Sequence, residues 1–228
     1  MKELRSNTTD EIERRYITHE VRADGEGETR TISGTASSFS SMYDMGWFLE
    51  QIAPGAIDES TDTADCKCLF NHDTNIVLGS ISGKQLELSS DQSGLYYRNK
   101  TVDTTAGRDV YELIRSGTVN KSSFGFTVAK QKWEIVDRAA LKGKIPEDVL
   151  DRVSYGGEVE VRTIEKIKKL WDVSPVTFPA NPNTSTEVAK RSRDAALGER
   201  KTEQTNKQTQ TLSPFDADLR LRDLEMQL

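Results

Sequence analysis

The sequence predicts a mainly β domain with flanking helices (α+β), laid out as an antiparallel barrel or sandwich. Three observations predict it. Short stretches of alternating polar and apolar residues recur from about residue 16 onward, with turn signals between them. One stretch, residues 105–116, changes to a helical period: Val110, Leu113 and Ile114 fall at i, i+3 and i+4. Hydrophobic residues make up 35% of the 228 and charged residues 30%, which suits one modest core with polar ends.

The elements follow in order. Residues 1–15 are polar and charge-rich, and are expected to form a flexible N-terminus. Residues 16–22 alternate with period two and read as a strand. A turn at Asp24-Gly25 and a second strand over 29–37 complete a hairpin. Residues 39–46 read as a serine-rich loop. The apolar run from Trp47 is ended by Pro54-Gly55. Strands are expected over 67–71, 77–82, 84–88 and 94–102. The helix over 105–116 ends at Gly117. A strand over 120–129 continues through 131–136. Residues 137–155 read as an insertion holding a short helix over 146–153. Two further strands are expected over 158–170 and 172–179. After Thr184 the composition shifts, with Phe215 the one aromatic left. Residues 185–228 are expected to be disordered or weakly helical, since they cannot bury enough apolar surface to offset chain entropy. Leu219, Leu221, Leu224 and Leu228 could form a sticky stripe there.

Composition excludes several function classes. The net charge of −6 argues against a nucleic-acid binder. No apolar run is long enough to span a membrane, and the N-terminus lacks the apolar stretch of a secretory signal, so a cytoplasmic protein without membrane partners is expected. With two histidines and two cysteines, a four-ligand zinc site is not expected. Cys66 and Cys68 read as apolar side chains of a short strand. A disulfide between them would be strained at that spacing.

Nucleophilic chemistry needs a hydroxyl or thiol, a base within hydrogen-bond reach and a group to orient the base. His19 falls in a charged first strand and reads as a solvated residue. His72 follows the apolar strand ending at Phe70, a fixed platform from which an imidazole can face a cleft. The best hydroxyl lies in Ser122-Ser123-Phe124-Gly125-Phe126. Alternation sets Ser123, Gly125 and Thr127 on one face and Phe124, Phe126 and Val128 on the other. This pattern is not the strand–turn–helix elbow of an α/β-hydrolase. Asp172, at the start of an apolar strand, is the first choice for the orienting carboxylate, with Glu158, Glu160 and Glu165 as alternatives. A binding protein in which Ser123 and His72 never meet, and a cysteine hydrolase using Cys66 or Cys68, are the competing readings. Gly125 and the stretch Ser174-Pro175, read as a turn, are the candidates for an oxyanion hole.

Five segments together resemble the prohead serine protease family of tailed bacteriophages. They are Ile32-Ser33-Gly34-Thr35-Ala36 with Ser38-Phe39; Glu50 through Ala56 with its Pro54-Gly55; Leu69-Phe70-Asn71-His72-Asp73 with Leu78-Gly79; Lys121-Ser122-Ser123-Phe124-Gly125-Phe126; and Leu170 through Pro182. They occur in the family's order over about residues 16–184, taken as the protease domain. The resemblance implies a closed antiparallel β-barrel like that of herpesvirus assemblin. It implies a serine endopeptidase that needs no cofactor or metal. Its substrate would be scaffold protein or the scaffolding region of the major capsid protein, cut during prohead maturation inside the assembling shell in the host cytoplasm. Self-cleavage and a homodimer are further implications, and a non-catalytic capsid assembly protein of the same fold is the alternative. The family histidine falls on His72 and the family serine on Ser123, with Ser122 where the family often has a larger apolar residue. Asp172 takes a place where the family usually shows Glu. The stretch from Ser123 to Asp172 is longer than usual.

Overall fold

The computed structural model describes residues 2–17, 21–25, 29–178 and 193–194. In chain order the strands are β1 (Lys2–Ile17), β2 (Val21–Asp24), β3 (Thr31–Ser38), β4 (Tyr43–Asp44), β5 (Leu49–Ile52), β6 (Lys67–Phe70), β7 (Asp73–Ser80), β8 (Leu86–Ser90) and β9 (Gly94–Lys100). Helix α1 (Thr105–Arg115) leads into β10 (Lys121–Asp137), and α2 (Glu147–Val153) precedes β11 (Ser154–Tyr155) and β12 (Glu158–Val176). The predicted mainly β character and both helices are present. His19 and residues 195–228, with the expected tail helix, lie outside the described residues.

The closed barrel does not form. Among the described residues there are two open sheets, one of eight strands and one of four. The larger runs β1-β10-β12-β5-β4, with β6, β7 and β11 attached off that path. It is mixed rather than antiparallel, because β5 and β6 both run parallel to β12. These two short strands share the second edge of β12. One continues into β4 and the other into β7, so none of the described strands carries the ladder round to β1. The smaller sheet, β2-β3-β9-β8, is antiparallel and contains the expected hairpin.

Two other elements differ from the sequence reading. The strands expected over 158–170 and 172–179 are one continuous strand, β12, and the backbone of residues 2–17 is one strand paired with β10 rather than a loose end. In both cases the long partner β10 supplies the ladder, which local alternation does not reveal.

The main core lies where the two sheets face each other. Ile32, Leu78, Phe124, Phe126, Val128 and Val173 are buried there, with Val110 and Ile114 of α1 closing one side. Helix α1 is amphipathic as its spacing requires, and the Thr104 hydroxyl caps it by accepting from the Gly107 N–H at 3.0 Å. A separate aromatic cluster of Phe48 and Trp133, with Trp47 packed on it, sits further along β10.

Candidate active site

Three elements converge at one end of the β10–β12 ladder. Ser123 lies directly opposite Ser174 and Gly125 directly opposite Asp172. Side chains two apart share a face of a strand, so these four residues form one small square on one side of the sheet. The neighbouring pairs point the other way: Phe124 and Phe126 stack at 4.8 Å between centroids in the core. Ser122 is on that side as well, and its hydroxyl bonds the buried Tyr97 hydroxyl at 2.8 Å. The two serines are therefore separated by the sheet itself. Gly34 lets Tyr97 approach, since a Cβ there would lie 2.8 Å from the Tyr97 hydroxyl oxygen.

A bulge aims Asp172. The register passes from Gly125 opposite Asp172 to Phe126 opposite Leu170, leaving Trp171 as the extra residue. Such an insertion bends the strand and redirects its side chains. Trp171 turns outward while Asp172 turns in and is buried.

His72 arrives on a two-residue hairpin. Phe70 pairs with Asp73, so Asn71 and His72 are the whole turn. Both have positive φ, 54° and 59°, as a type I′ turn demands. That geometry favours Asn then Gly, so a histidine at the second place is strained by roughly 1–2 kcal/mol. The turn is held against β12. The Asn71 N–H donates to the Pro175 carbonyl at 3.0 Å, the Thr177 N–H donates to Asn71 Oδ1 at 2.8 Å, and Asn71 Nδ2 donates to Thr177 Oγ1 at 3.1 Å. Parallel pairing of Lys67 with Asp172 and Cys68 with Val173 fixes the height of β6 on the same strand.

The result is a continuous chain of polar atoms. His72 Nε2 lies 2.6 Å from Ser123 Oγ, and His72 Nδ1 lies 2.5 Å from Asp172 Oδ1. The His72 and Asp172 side chains are 8% and 5% exposed, so the pair is almost withdrawn from water. Ser174, which the sequence offered only as part of an oxyanion-hole turn, instead donates its hydroxyl to Asp172 Oδ1 at 2.6 Å. Its position two after Asp172 was the available signal, because the two share a strand face. Sequence reading also missed the role of Gly125 as the space Asp172 occupies: a Cβ there would lie 2.4 Å from Asp172 Oδ2.

The other candidates lie elsewhere. Glu160 pairs with Arg193 and Glu165 with Lys130, while Glu158 is exposed at the far end of β12. Ser174 and Pro175 are strand residues rather than a turn, and Pro175 has no N–H to offer an oxyanion. Cys66 and Cys68 are free thiols in the core. Burial, with the Asp172 charge nearby, pushes the Cys66 thiol up to about 12, and burial raises Cys68 as well. Neither is poised as a thiolate. No group of three or more His, Cys, Asp or Glu residues among the described residues is arranged to hold a metal ion.

A buried charge cluster lies on the face of this sheet that carries Phe126, with the Arg15 guanidinium 5.5 Å from that ring's centroid. Glu13 and Arg15 of β1, Glu50 of β5 and Arg162 of β12 are all nearly inaccessible. Arg15 Nη2 bonds Glu13 at 2.6 Å and Glu50 at 2.7 Å, and Arg162 Nη1 bonds Glu13 at 2.6 Å and Glu50 at 2.8 Å. Burial alone would raise the Glu13 carboxyl, but Arg162 and then Arg15 outweigh it and hold the group down at about 2.

The sequence model of the caudovirus prohead serine proteases matches residues 17–198. The chain belongs to that family. It is also 28% identical over 165 residues to the prohead protease of Enterobacteria phage HK97, an alignment covering 71% of this chain and 61% of that protein. The chain thus spans about three fifths of the length of the curated prohead protease it matches. No solved structure matches. The matched region of the prohead protease family contains Ser123, His72, Asp172, Glu50 and Arg162, and begins after Glu13 and Arg15.

Proposed function

We propose that the chain is a serine endopeptidase of prohead maturation, cutting scaffold protein or the scaffolding region of the major capsid protein within the assembling shell. The observation that carries this reading is the Ser123–His72–Asp172 chain, with contacts of 2.6 and 2.5 Å. A hydroxyl is a weak nucleophile until a base takes its proton as it attacks. His72 Nε2 is that base. Ser123 Oγ bonds the peptide carbonyl carbon, its proton passes to Nε2, and the carbonyl oxygen takes up the displaced electron pair. Asp172, fixed by Ser174, holds the Nδ1–H and offsets the charge that develops on the imidazole. The tetrahedral species collapses, the C–N bond breaks, and His72 returns the proton to the leaving amine. Water then repeats the sequence on the acyl-enzyme and frees the serine.

The test is co-expression with the capsid protein of the same genome, comparing the unaltered chain with Ser123→Ala by intact mass. Shortened capsid or scaffold masses with the unaltered chain alone are the expected result. Identical masses in the two arms would overturn the reading in favour of a non-catalytic assembly protein. The mass of the protease itself in the same samples reports self-cleavage.

A further inference from the structure

We propose that residues 13–17 of β1 fill the lane of an extended peptide substrate, so that the chain closes its own site with its N-terminal strand. This rests on the catalytic reading of Ser123 given above.

The evidence begins with access. Ser123 is fully buried, and β1 lies directly against it. Arg15 pairs with Phe124, Tyr16 with Ser123 and Ile17 with Ser122, antiparallel along the outer edge of β10. The Ser123 hydroxyl donates to the Arg15 carbonyl at 2.9 Å. A serine hydroxyl has one proton, so when it points at Arg15 it is not given to His72 Nε2. The strand therefore both blocks the nucleophile and competes with its base. A polypeptide attacked by Ser123 must bring its carbonyl to the same oxygen, and the edge of β10 offers its backbone the ladder that β1 now uses.

The attachment of this segment is built to come apart. The β1–β10 register shifts between Thr9 and Glu13, which divides the strand into an outer run over residues 2–9 and the run that covers the serine. The buried charge cluster is divided the same way. The strand brings one acid and one base, Glu13 and Arg15, and the body keeps one acid and one base, Glu50 and Arg162, bonded to each other at 2.8 Å. Separation leaves each half neutral and paired, so it avoids the heavy penalty of a lone buried charge. The strand residues of this cluster also precede the segment shared with the family, whereas the body residues lie within it.

Thiol accessibility tests this independently of catalysis. Ser123→Cys is introduced into the full chain and its reaction with a maleimide is followed. The buried Cys66 and Cys68, with raised thiols, contribute little background. Adding Glu13→Ala with Arg15→Ala is expected to speed the alkylation about ten-fold or more, because local opening sets the rate. Equal rates in folded proteins overturn the proposal. Should the double substitution fail to fold by circular dichroism, the Ser123→Cys chain decides alone. After full alkylation, lost hydrogen-exchange protection over residues 13–17 supports the strand's displacement, and retained protection overturns it. Fluorophosphonate labelling of Ser123 in the Glu13→Ala, Arg15→Ala chain separates the two claims. Fast alkylation of the thiol with no labelling of the serine supports the covering strand and overturns the nucleophile.

Discussion

Gly125→Ala is the sharpest probe of how the site is held. The added methyl would sit 2.4 Å from Asp172 Oδ2 and 3.4 Å from its carboxyl carbon, with Ile12 Cγ2 at 3.7 Å on another side. Ordinary contact needs about 3.4 Å, so the carboxylate must retreat by about 1 Å. It cannot do so freely, because Oδ1 is bonded to both His72 and Ser174. The imidazole therefore moves with it or loses its partner. A displacement of about 1 Å costs roughly 10²-fold in rate, equivalent to about 2.7 kcal/mol of transition-state stabilisation. The second-order rate of fluorophosphonate labelling at Ser123, followed by intact mass with and without Gly125→Ala in a Glu13→Ala, Arg15→Ala background that frees the serine of β1, reads this. Global stability should change less, since crowding that costs about 1–3 kcal/mol is partly offset by the smaller entropy of the unfolded alanine chain. A Gly125→Ala protein that labels within two-fold of the unaltered rate would refute the reasoning, for it would mean that Asp172 does not govern His72.

Three further outcomes follow from the same geometry. Ser122→Ala should leave labelling at Ser123 unchanged while lowering the thermal midpoint, because it strands the buried Tyr97 hydroxyl at a cost of about 1–3 kcal/mol; loss of labelling would move the nucleophile to residue 122. Glu50→Ala leaves Arg15 and Arg162 short of a counter-charge and should destabilise the fold by about 3–5 kcal/mol in urea titration, whereas a loss under 1 kcal/mol would show the cluster to be solvated. Because folding lowers the Glu13 carboxyl from its ordinary 4.5 to about 2, its stabilising effect is complete above pH 4.5 and fades as the pH falls towards 2. Hydrogen-exchange protection of residues 13–17 should decline over that interval, and protection that is flat across it would contradict the assignment.

Much of the candidate site was legible in the chain. His72 could be reached because histidine is scarce and one of the two follows an apolar strand, and Ser123 because alternation separates its face from that of Phe124 and Phe126. Asp172 could be reached because a carboxylate at the start of an apolar strand needs a partner, and the resemblance to prohead proteases set it where that family usually shows Glu. What was not legible depends on long-range pairing. Nothing local announces that residues 2–17 have a partner, because polar residues in a strand gain their stability from the neighbouring strand and not from their own pattern. Glu13 and Arg15 read as tail charges until Glu50 and Arg162 are brought to them across the sheet. The closed barrel failed for a related reason. Parallel strands such as β5 and β6 look like any short apolar run, so the sequence does not tell that the second edge of β12 is shared between them. Trp171 merges two expected strands into one, since a bulge breaks the alternation without breaking the strand.

The hairpin that carries His72 has a consequence for how such a residue persists. Its backbone conformation is one that glycine adopts at no cost, so His72→Gly would relax the turn while taking away the imidazole that meets the buried Asp172. The turn taken alone would therefore favour loss of the imidazole over generations. On the catalytic reading proposed above, a lineage that no longer needed the chemistry would be free to drift towards a more relaxed loop.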